Sequence, residues 1–275
     1  MDIKKGKINL YLHMKRTLSQ EEKRQILLLQ KEDITVIEVE DNNDCCSFQN
    51  NNCNGSVESV SNIQQIKICI SDDYDILRQA YNAGWVVIVC LDELSKEQEK
   101  TMDCSFVRYA IDSLTAIDRT YLLTVYCRCK GIPQMITQTD RLRIKEISLS
   151  DMDDLMEIFN SNDRTEFFEP FYGSREEAEE YLDAYIKDVY CYYDYGIWGV
   201  YLKDAGKMIG IAGFTPRSDM GEKPILELGY AIAKSYQGQG YAKEACNAVI
   251  KYAQENLEYE KIIKITSNGV QKISG

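Results

Sequence analysis

The chain has 275 residues, enough for two domains of ordinary size, and carries 44% hydrophobic and 28% charged residues. Its formal net charge of −12 argues against non-specific nucleic-acid binding, which needs Lys and Arg to neutralise phosphates, and leaves room for a cationic partner. No run approaches the roughly eighteen apolar residues of a membrane span, and the basic start lacks the apolar core of a signal peptide.

Ten cysteines spread along such a chain read as reduced thiols, which fits a cytoplasmic location. Cys127-Arg128-Cys129 is too tight for the usual zinc spacing, and Cys45, Cys46 and Cys53 lack a second ligand pair, so no metal is expected. The only histidine, His13, ends an apparent strand and reads as a structural residue, leaving no Ser-His-Asp arrangement.

Taken in chain order, Ile8–Leu12 and Ile34–Val39 are short runs rich in branched residues, which predicts strands. Ser19–Lys31 between them has helical periodicity. Asp41–Asn62 is dominated by Asn, Ser and Asp without an apolar period, as expected of a surface loop or insert. Ile66–Ile70 predicts a strand, Ser71-Asp72-Asp73 a helix start, Tyr74–Asn82 the helix, and Gly84 its end. Trp85–Leu91 and Phe106–Ala110 predict further strands, and Thr115–Lys130 a long helix stopped by Gly131-Ile132-Pro133. Alternating strands and helices imply a parallel sheet covered by helices.

Gly131–Asp140 is the best boundary, dividing the chain into domains at 1–132 and 139–275. Beyond it, Leu142–Ile147 alternates like a half-buried strand, a short helix runs from Ser148 through Phe159, and Ser174 caps a longer helix over Arg175–Tyr190. The tyrosines from Tyr190 to Tyr195 read as packing around that helix end. Ile197–Leu202 and Met208–Phe214 predict strands joined by a hairpin turn at Lys203–Lys207. Ile225–Ala233 is the next strand, Tyr241–Gln254 a helix, and Lys261–Thr266 a last strand. The fold class is therefore α/β (α+β), a parallel-sheet domain followed by a second domain whose sheet is mixed in the reading that the resemblance below implies.

The segment between the strand at Ile225 and the helix at Tyr241 carries the chemistry. A glycine-bearing loop that runs into a helix N-terminus can turn several backbone N–H groups toward one point, where the helix dipole favours an anion. Glycine allows the close backbone approach that a side chain would block. The loop is neither G-x-G-x-x-G nor a phosphate loop ending in Gly-Lys-Ser/Thr. Gln237-Gly238-Gln239-Gly240-Tyr241-Ala242 instead fits Q/R-x-x-G-x-G/A, the pyrophosphate-binding signature of the GNAT acetyltransferase superfamily.

The resemblance extends along the second half of the chain. Thr139–Lys145 resembles the opening strand of the GNAT branch that includes ribosomal-protein N-terminal acetyltransferases, and Lys207–Phe214 its central hairpin. Glu227-Leu228-Gly229-Tyr230 resembles its fourth strand and Gly240–Ala245 its acyl-CoA helix. The resemblance implies that acetyl-CoA is the cosubstrate. Residues Gln237, Gly238, Gln239, Gly240, Tyr241 and Ala242 would form the diphosphate loop, and the main chain of Tyr230, Ala231 and Ile232 would pair with the pantetheine arm.

It implies transfer of an acetyl group to a primary amine, of a small molecule or a protein N-terminus, with no nucleic acid or membrane as partner. Glu227 matches the family's acidic position and is the candidate base, burial being the means of raising its pKa. Read from alternation alone, it is equally an outward-facing residue opposite Leu226 and Leu228. Glu169 and Tyr172, beside Glu166, Phe167 and Phe168, lie where the family binds the acceptor.

The pattern is shortened after Thr266: Asn268 stands where an Asn contacting CoA is expected, but no further element or general-acid tyrosine is recognisable in Gly269–Gly275. That would leave a sheet edge for a second copy to complete. It also keeps open a degenerate acyl-CoA-binding or regulatory protein without turnover. Residues 1–132 more loosely resemble the haloacid-dehalogenase-like module that precedes some GNAT domains. Asp73-Tyr74-Asp75-Ile76-Leu77 departs from the phosphatase pattern D-x-D-x-T/V, so Asp73 is expected to cap a helix and the module to be non-catalytic, against a phosphatase-like alternative.

Overall fold

The computed structural model describes residues 6–38, 65–161, 173–217, 225–266 and 269–274. The chain divides into two compact units, Met1–Cys129 and Lys130–Gly275. The loop expected at Asp41–Asn62 lies outside the described residues. Among the described residues, no helix is long and apolar enough to cross a membrane, and no His, Cys, Asp and Glu side chains cluster to hold a metal ion.

The first unit is a five-stranded parallel sheet in the order β2-β1-β3-β4-β5. Its strands are β1 (Ile8–His13), β2 (Ile34–Glu38), β3 (Ile66–Ser71), β4 (Val86–Cys90) and β5 (Ala110–Ile111). Every residue of β4 is buried, as a strand covered on both faces requires. Helix α1 (Gln20–Lys31) starts on a capping box in which Ser19 and Glu22 satisfy each other's backbone N–H groups. Helix α2 (Tyr74–Asn82) is capped by Asp73, whose carboxylate accepts the Asp75 N–H at 2.9 Å, and Gly84 follows it at φ +82°. On one face, Tyr11 and Trp85 meet edge-on at 4.2 Å over Leu77 and Val87.

Three sequence expectations in this unit change. Helix α3 (Glu93–Glu99) was hidden by its polar composition and is set by the Asp92–Ser95 capping box. The strand expected over Phe106–Ala110 forms only at Ala110–Ile111. The single helix expected over Thr115–Lys130 is broken at extended Ile117. A 3-10 turn precedes the break, and α4 (Arg119–Cys129) restarts where Asp118 accepts the Tyr121 N–H at 2.7 Å.

The second unit is a seven-stranded mixed sheet in the order β12-β11-β10-β9-β8-β7-β6. It comprises β6 (Met135–Gln138), β7 (Leu142–Lys145), β8 (Ile197–Leu202), β9 (Met208–Arg217), β10 (Ile225–Ile232), β11 (Lys261–Thr266) and β12 (Gly269–Ser274). All neighbours are antiparallel except β10 and β11. Helices α5 (Met152–Asn160) and α6 (Arg175–Tyr192) pack one face through Leu155, Phe159 and Leu182. Helix α7 (Tyr241–Asn256) packs the other through Ala245, Val249 and Ala253. Trp198 anchors that second core, edge-on to Phe214 at 6.1 Å and to Tyr252 at 5.5 Å.

Two corrections concern the ends of this sheet. Met135–Gln138, expected within the linker, is a strand paired with β7. Gly269–Ser274, in which no element was recognised, is a strand antiparallel to β11, so β11 is not the edge it was expected to be. Both are short and alternate weakly, and hydrogen bonding to an existing neighbour decides them.

Candidate functional site

Strand β10 leaves the sheet through a 3-10 turn at Lys234–Tyr236 and reaches α7 over the exposed residues Gln237–Gly240. Gly238 and Gly240 have φ of +72° and +83°, the left-handed region that side chains strain to adopt. Gly240 is the N-cap of α7 and offers no side-chain cap, so the first-turn N–H groups look outward without the usual Ser or Asp partner. The first backbone bond of the helix runs from the Glu244 N–H to the Gly240 carbonyl at 3.1 Å. Two side chains fold the loop back on itself: Gln237 Nε2 donates to the Ile232 carbonyl at 2.8 Å and Gln239 Nε2 to the Ser235 carbonyl at 3.3 Å. The result is a glycine-built turn at the positive end of a sixteen-residue helix, open to an anion.

Beside this turn the sheet opens. Strand β10 pairs with β9 along its whole length, from Ile225↔Arg217 to Ile232↔Gly210. With parallel β11 it pairs only over Ile225↔Lys261, Leu226↔Ile262 and Glu227↔Ile263. Beyond Glu227 the β11-facing edge of Tyr230 and Ala231 has no ladder pairing with β11 among the described residues. An extended ligand arm could complete those backbone hydrogen bonds as a strand would. Gly210 permits the close approach of β9 there, since a Cβ would lie 2.4 Å from the Ala231 carbonyl oxygen.

Glu227 sits where the two strands part. Leu226 and Leu228 join the core under α7, whereas Ala231 joins the core under α5 and α6, so alternation turns Glu227 toward the α5–α6 face. Its side chain is 16% exposed, and its Oε2 accepts Arg217 Nε at 2.6 Å. The sequence left Glu227 either a buried base or an outward-facing residue; a guanidinium two strand positions from its cross-strand partner engages it.

On the α7 face, Lys264 Nζ donates to the Tyr230 hydroxyl at 3.2 Å and lies 4.7 Å from the centre of its ring, linking the parted strands. The nearby Cys246 thiol is pushed by burial up to about 11, partly offset by Lys264, and so stays protonated at neutral pH. Glu169 and Tyr172, with Glu166, Phe167 and Phe168, lie outside the described residues.

Sequence reasoning gave no role to the residues that brace the loop from behind. Arg141 Nε donates to Glu244 Oε2 at 2.7 Å, its Nη1 to the Gln239 carbonyl at 3.2 Å, and its guanidinium lies 4.3 Å from the centre of the Tyr241 ring. Thr139 Oγ1 donates to Glu244 Oε1 at 2.5 Å. The available signal was a Thr and an Arg just before a strand, whose partners lie a hundred residues away. A groove of about 490 Å³ between β6 and α7 shares Thr139 and Glu244 with this brace but contains none of the loop residues.

The first unit also has a place where such sheets take ligands, the crevice beyond the carboxyl ends of β1 and β3 where the strand order reverses. Here the chain's own side chains fill it. The Asp72 carboxylate accepts the Lys15 and Arg16 N–H groups at 2.9 and 3.0 Å, and Asp73 accepts Lys15 Nζ at 2.6 Å. Arg16 forks onto buried Glu22 at 2.9 and 2.5 Å and reaches Cys90 Sγ at 3.4 Å. His13 Nδ1 and Ser71 Oγ lie 3.0 Å apart beneath them. The hydrogen bond from Arg16 holds the Glu22 carboxyl well below the usual carboxylate range, against the effect of burial.

Residues 141–269 match the family model of the acetyltransferase (GNAT) domain. The match runs from the turn before β7 to the first residue of β12 and so takes in the loop, α7 and the β10–β11 opening. The chain is similar to the uncharacterized protein YkkB of Bacillus subtilis (strain 168), 27% identical over 77 residues that cover 28% of this chain and 44% of that protein. It thus spans less than half the length of that curated relative.

Among solved structures it is similar to the ribosomal-protein-S5-alanine acetyltransferase of Vibrio fischeri. That match has 18% identity and a TM-score of 0.39, and covers 46% of this chain and 72% of that one. It is also similar to RimL, a ribosomal L7/L12 alpha-N-protein acetyltransferase solved in complex with coenzyme A. There the identity is 15% and the TM-score 0.41, with 48% of this chain and 73% of that one covered.

Proposed function

We propose that the second unit is an acetyl-CoA-dependent N-acyltransferase that moves an acetyl group to a primary amine. The observation that carries this reading is the conjunction of the uncapped Gly240 turn with the opening of β10 from β11 next to it. One suits a diphosphate, the other an extended amide-bearing arm, and the family match spans both. In this reading the N–H groups of Gln239, Gly240 and Tyr241 hold the diphosphate, with Gln237, Gly238 and Ala242 shaping the turn. The main chain of Tyr230, Ala231 and Ile232 aligns the pantetheine so that the thioester lies near Glu227.

The reaction is attack of a neutral amine on the thioester carbonyl, with departure of the CoA thiolate. An alkylamine with a pKa of about 10.4 is protonated at neutral pH, and removing that proton costs roughly 4.6 kcal/mol unless a base assists. Glu227 is the proposed base, taking the ammonium proton directly or through a water, and Arg217 fixes the carboxylate's orientation. The protonated state of Cys246 favours direct transfer over a thiol-bound acyl intermediate. The acceptor is a small-molecule amine or a protein N-terminus; Glu169 and Tyr172 are proposed to face it, and the acidic chain would attract its cation.

For the first unit we carry forward a haloacid-dehalogenase-like kinship without catalysis, consistent with a switch-point crevice filled by its own ion pairs.

Thiol release from acetyl-CoA, measured with a panel of amines, tests the transferase. Amine-dependent release is expected, lost in Gly240→Glu, where a side chain strains the backbone at φ +83° and crowds the Arg141 guanidinium that braces the loop. Coenzyme A binding without release on any amine would instead identify an acyl-CoA-binding protein, and unchanged CoA affinity in Gly240→Glu would misplace the site.

A further inference from the structure

We infer that Arg141 is a positioning residue for the diphosphate loop, setting the protein's affinity for the diphosphate part of its cofactor without touching the reacting atoms. The inference rests on the function proposed above and adds to it the device that holds the loop in its binding shape.

Two glycines at positive φ allow the loop its turn, but glycine by itself permits many others, so something must select the conformer with outward amides. The Arg141 guanidinium touches the loop on both sides of Gly240. It hydrogen-bonds the carbonyl of Gln239 before it at 3.2 Å and stacks on the ring of Tyr241 after it at 4.3 Å. Holding the Gln239 carbonyl on the Arg141 side keeps that oxygen away from the anion. The same guanidinium is fastened to the helix, with Nε and Nη2 at 2.7 and 2.5 Å from Glu244 Oε2.

Its backbone is fixed in turn. The Arg141 N–H donates to Glu244 Oε1 at 3.3 Å, and its carbonyl accepts the Lys203 N–H at 3.0 Å. Thr139 bonds Leu142 through both its N–H and its hydroxyl, each at 2.9 Å. The clasp therefore ties the glycine loop to the start of β7, a strand in the sheet interior.

The electrostatics make the pairing necessary as well as convenient. Glu244 lies one turn into α7, and an uncompensated carboxylate there would repel a diphosphate at the helix N-terminus. Burial raises its carboxyl, but the hydrogen bonds from Thr139 and Arg141 outweigh that and keep it below the usual carboxylate range. It is charged at neutral pH, and Arg141 cancels that charge, leaving the helix dipole to act on the ligand. A lysine could cancel the charge but could not fork onto Glu244, reach Gln239 and stack on Tyr241 together.

The test is calorimetric titration of the full chain with coenzyme A and, separately, with pantetheine, which lacks the diphosphate. Arg141→Ala should weaken coenzyme A binding tenfold or more and leave pantetheine binding within twofold. Arg141→Lys should recover little of the loss, and Thr139→Val should weaken coenzyme A by a smaller factor. The inference is overturned if Arg141→Ala binds coenzyme A as the parent does, if both ligands weaken in step, or if lysine restores affinity. Failure of the parent chain itself to bind coenzyme A would remove the proposed function, and this inference with it.

Discussion

At the scale of the residue, function concentrates in a few side chains whose neighbours decide what they can do. Glu227 accepts from the Arg217 guanidinium at 2.6 Å and is largely shielded from solvent, at the point where the β10–β11 ladder ends. Glu227→Gln keeps the shape and removes proton acceptance, so kcat should fall on the order of 10²-fold while the KM for acetyl-CoA changes little. Steady-state thiol release checks this, and an unchanged kcat would move the base elsewhere.

A second residue-scale prediction concerns Glu22 in the first unit, a side chain 3% exposed and paired with the 25% exposed Arg16. Glu22→Gln leaves a cation without its partner and should cost roughly 3 kcal/mol of stability. Because the native carboxyl is held below its unfolded value of about 4.3, this stabilisation is complete above about pH 5 and is lost as pH falls below that value. Denaturant titrations of parent and variant should therefore converge on acidification; a gap that persists at low pH would contradict the ion-pair account.

At the scale of the element, the loop and its two flanking structures were legible because glycine spacing and strand pattern are local signals. Gln237–Ala242 announces a turn that needs positive φ, and Gly238 and Gly240 adopt it. Gly238→Ala meets no neighbouring atom within 4 Å, so its cost should be purely conformational, about 1 kcal/mol, readable as a lowered thermal midpoint. Capping residues were equally legible: Ser19, Asp73 and Ser174 each cap the helix they were placed at the head of or just before.

What could not be read is what depends on partners distant in the chain. Strands β6 and β12 have weak patterns of their own and form against neighbours, whereas α3, set by a local capping box, was hidden by its polar composition. The brace on the loop joins Arg141 to residues about a hundred positions away, and the Glu227 pair depends on the register of β9 with β10. Spacing along one strand shows only that Glu227 opposes Leu226 and Leu228; which face each side meets is settled by the helices.

At the scale of the whole molecule, two units each close a sheet over a core of their own. In the first, carboxylates of the chain already occupy the amides beyond β1; in the second, the amides at the head of α7 have no cap. That contrast is why cofactor binding is proposed for the second unit. Changes in the first, such as Glu22→Gln, should then alter stability while leaving coenzyme A affinity within about twofold at 25 °C, which titration of the variant would check. The most direct measurement is a structure of the full chain bound to coenzyme A. The diphosphate should lie within hydrogen-bonding distance of the Gln239, Gly240 and Tyr241 N–H groups, with the pantetheine along Tyr230–Ile232. A diphosphate bound anywhere else on the chain would contradict the account.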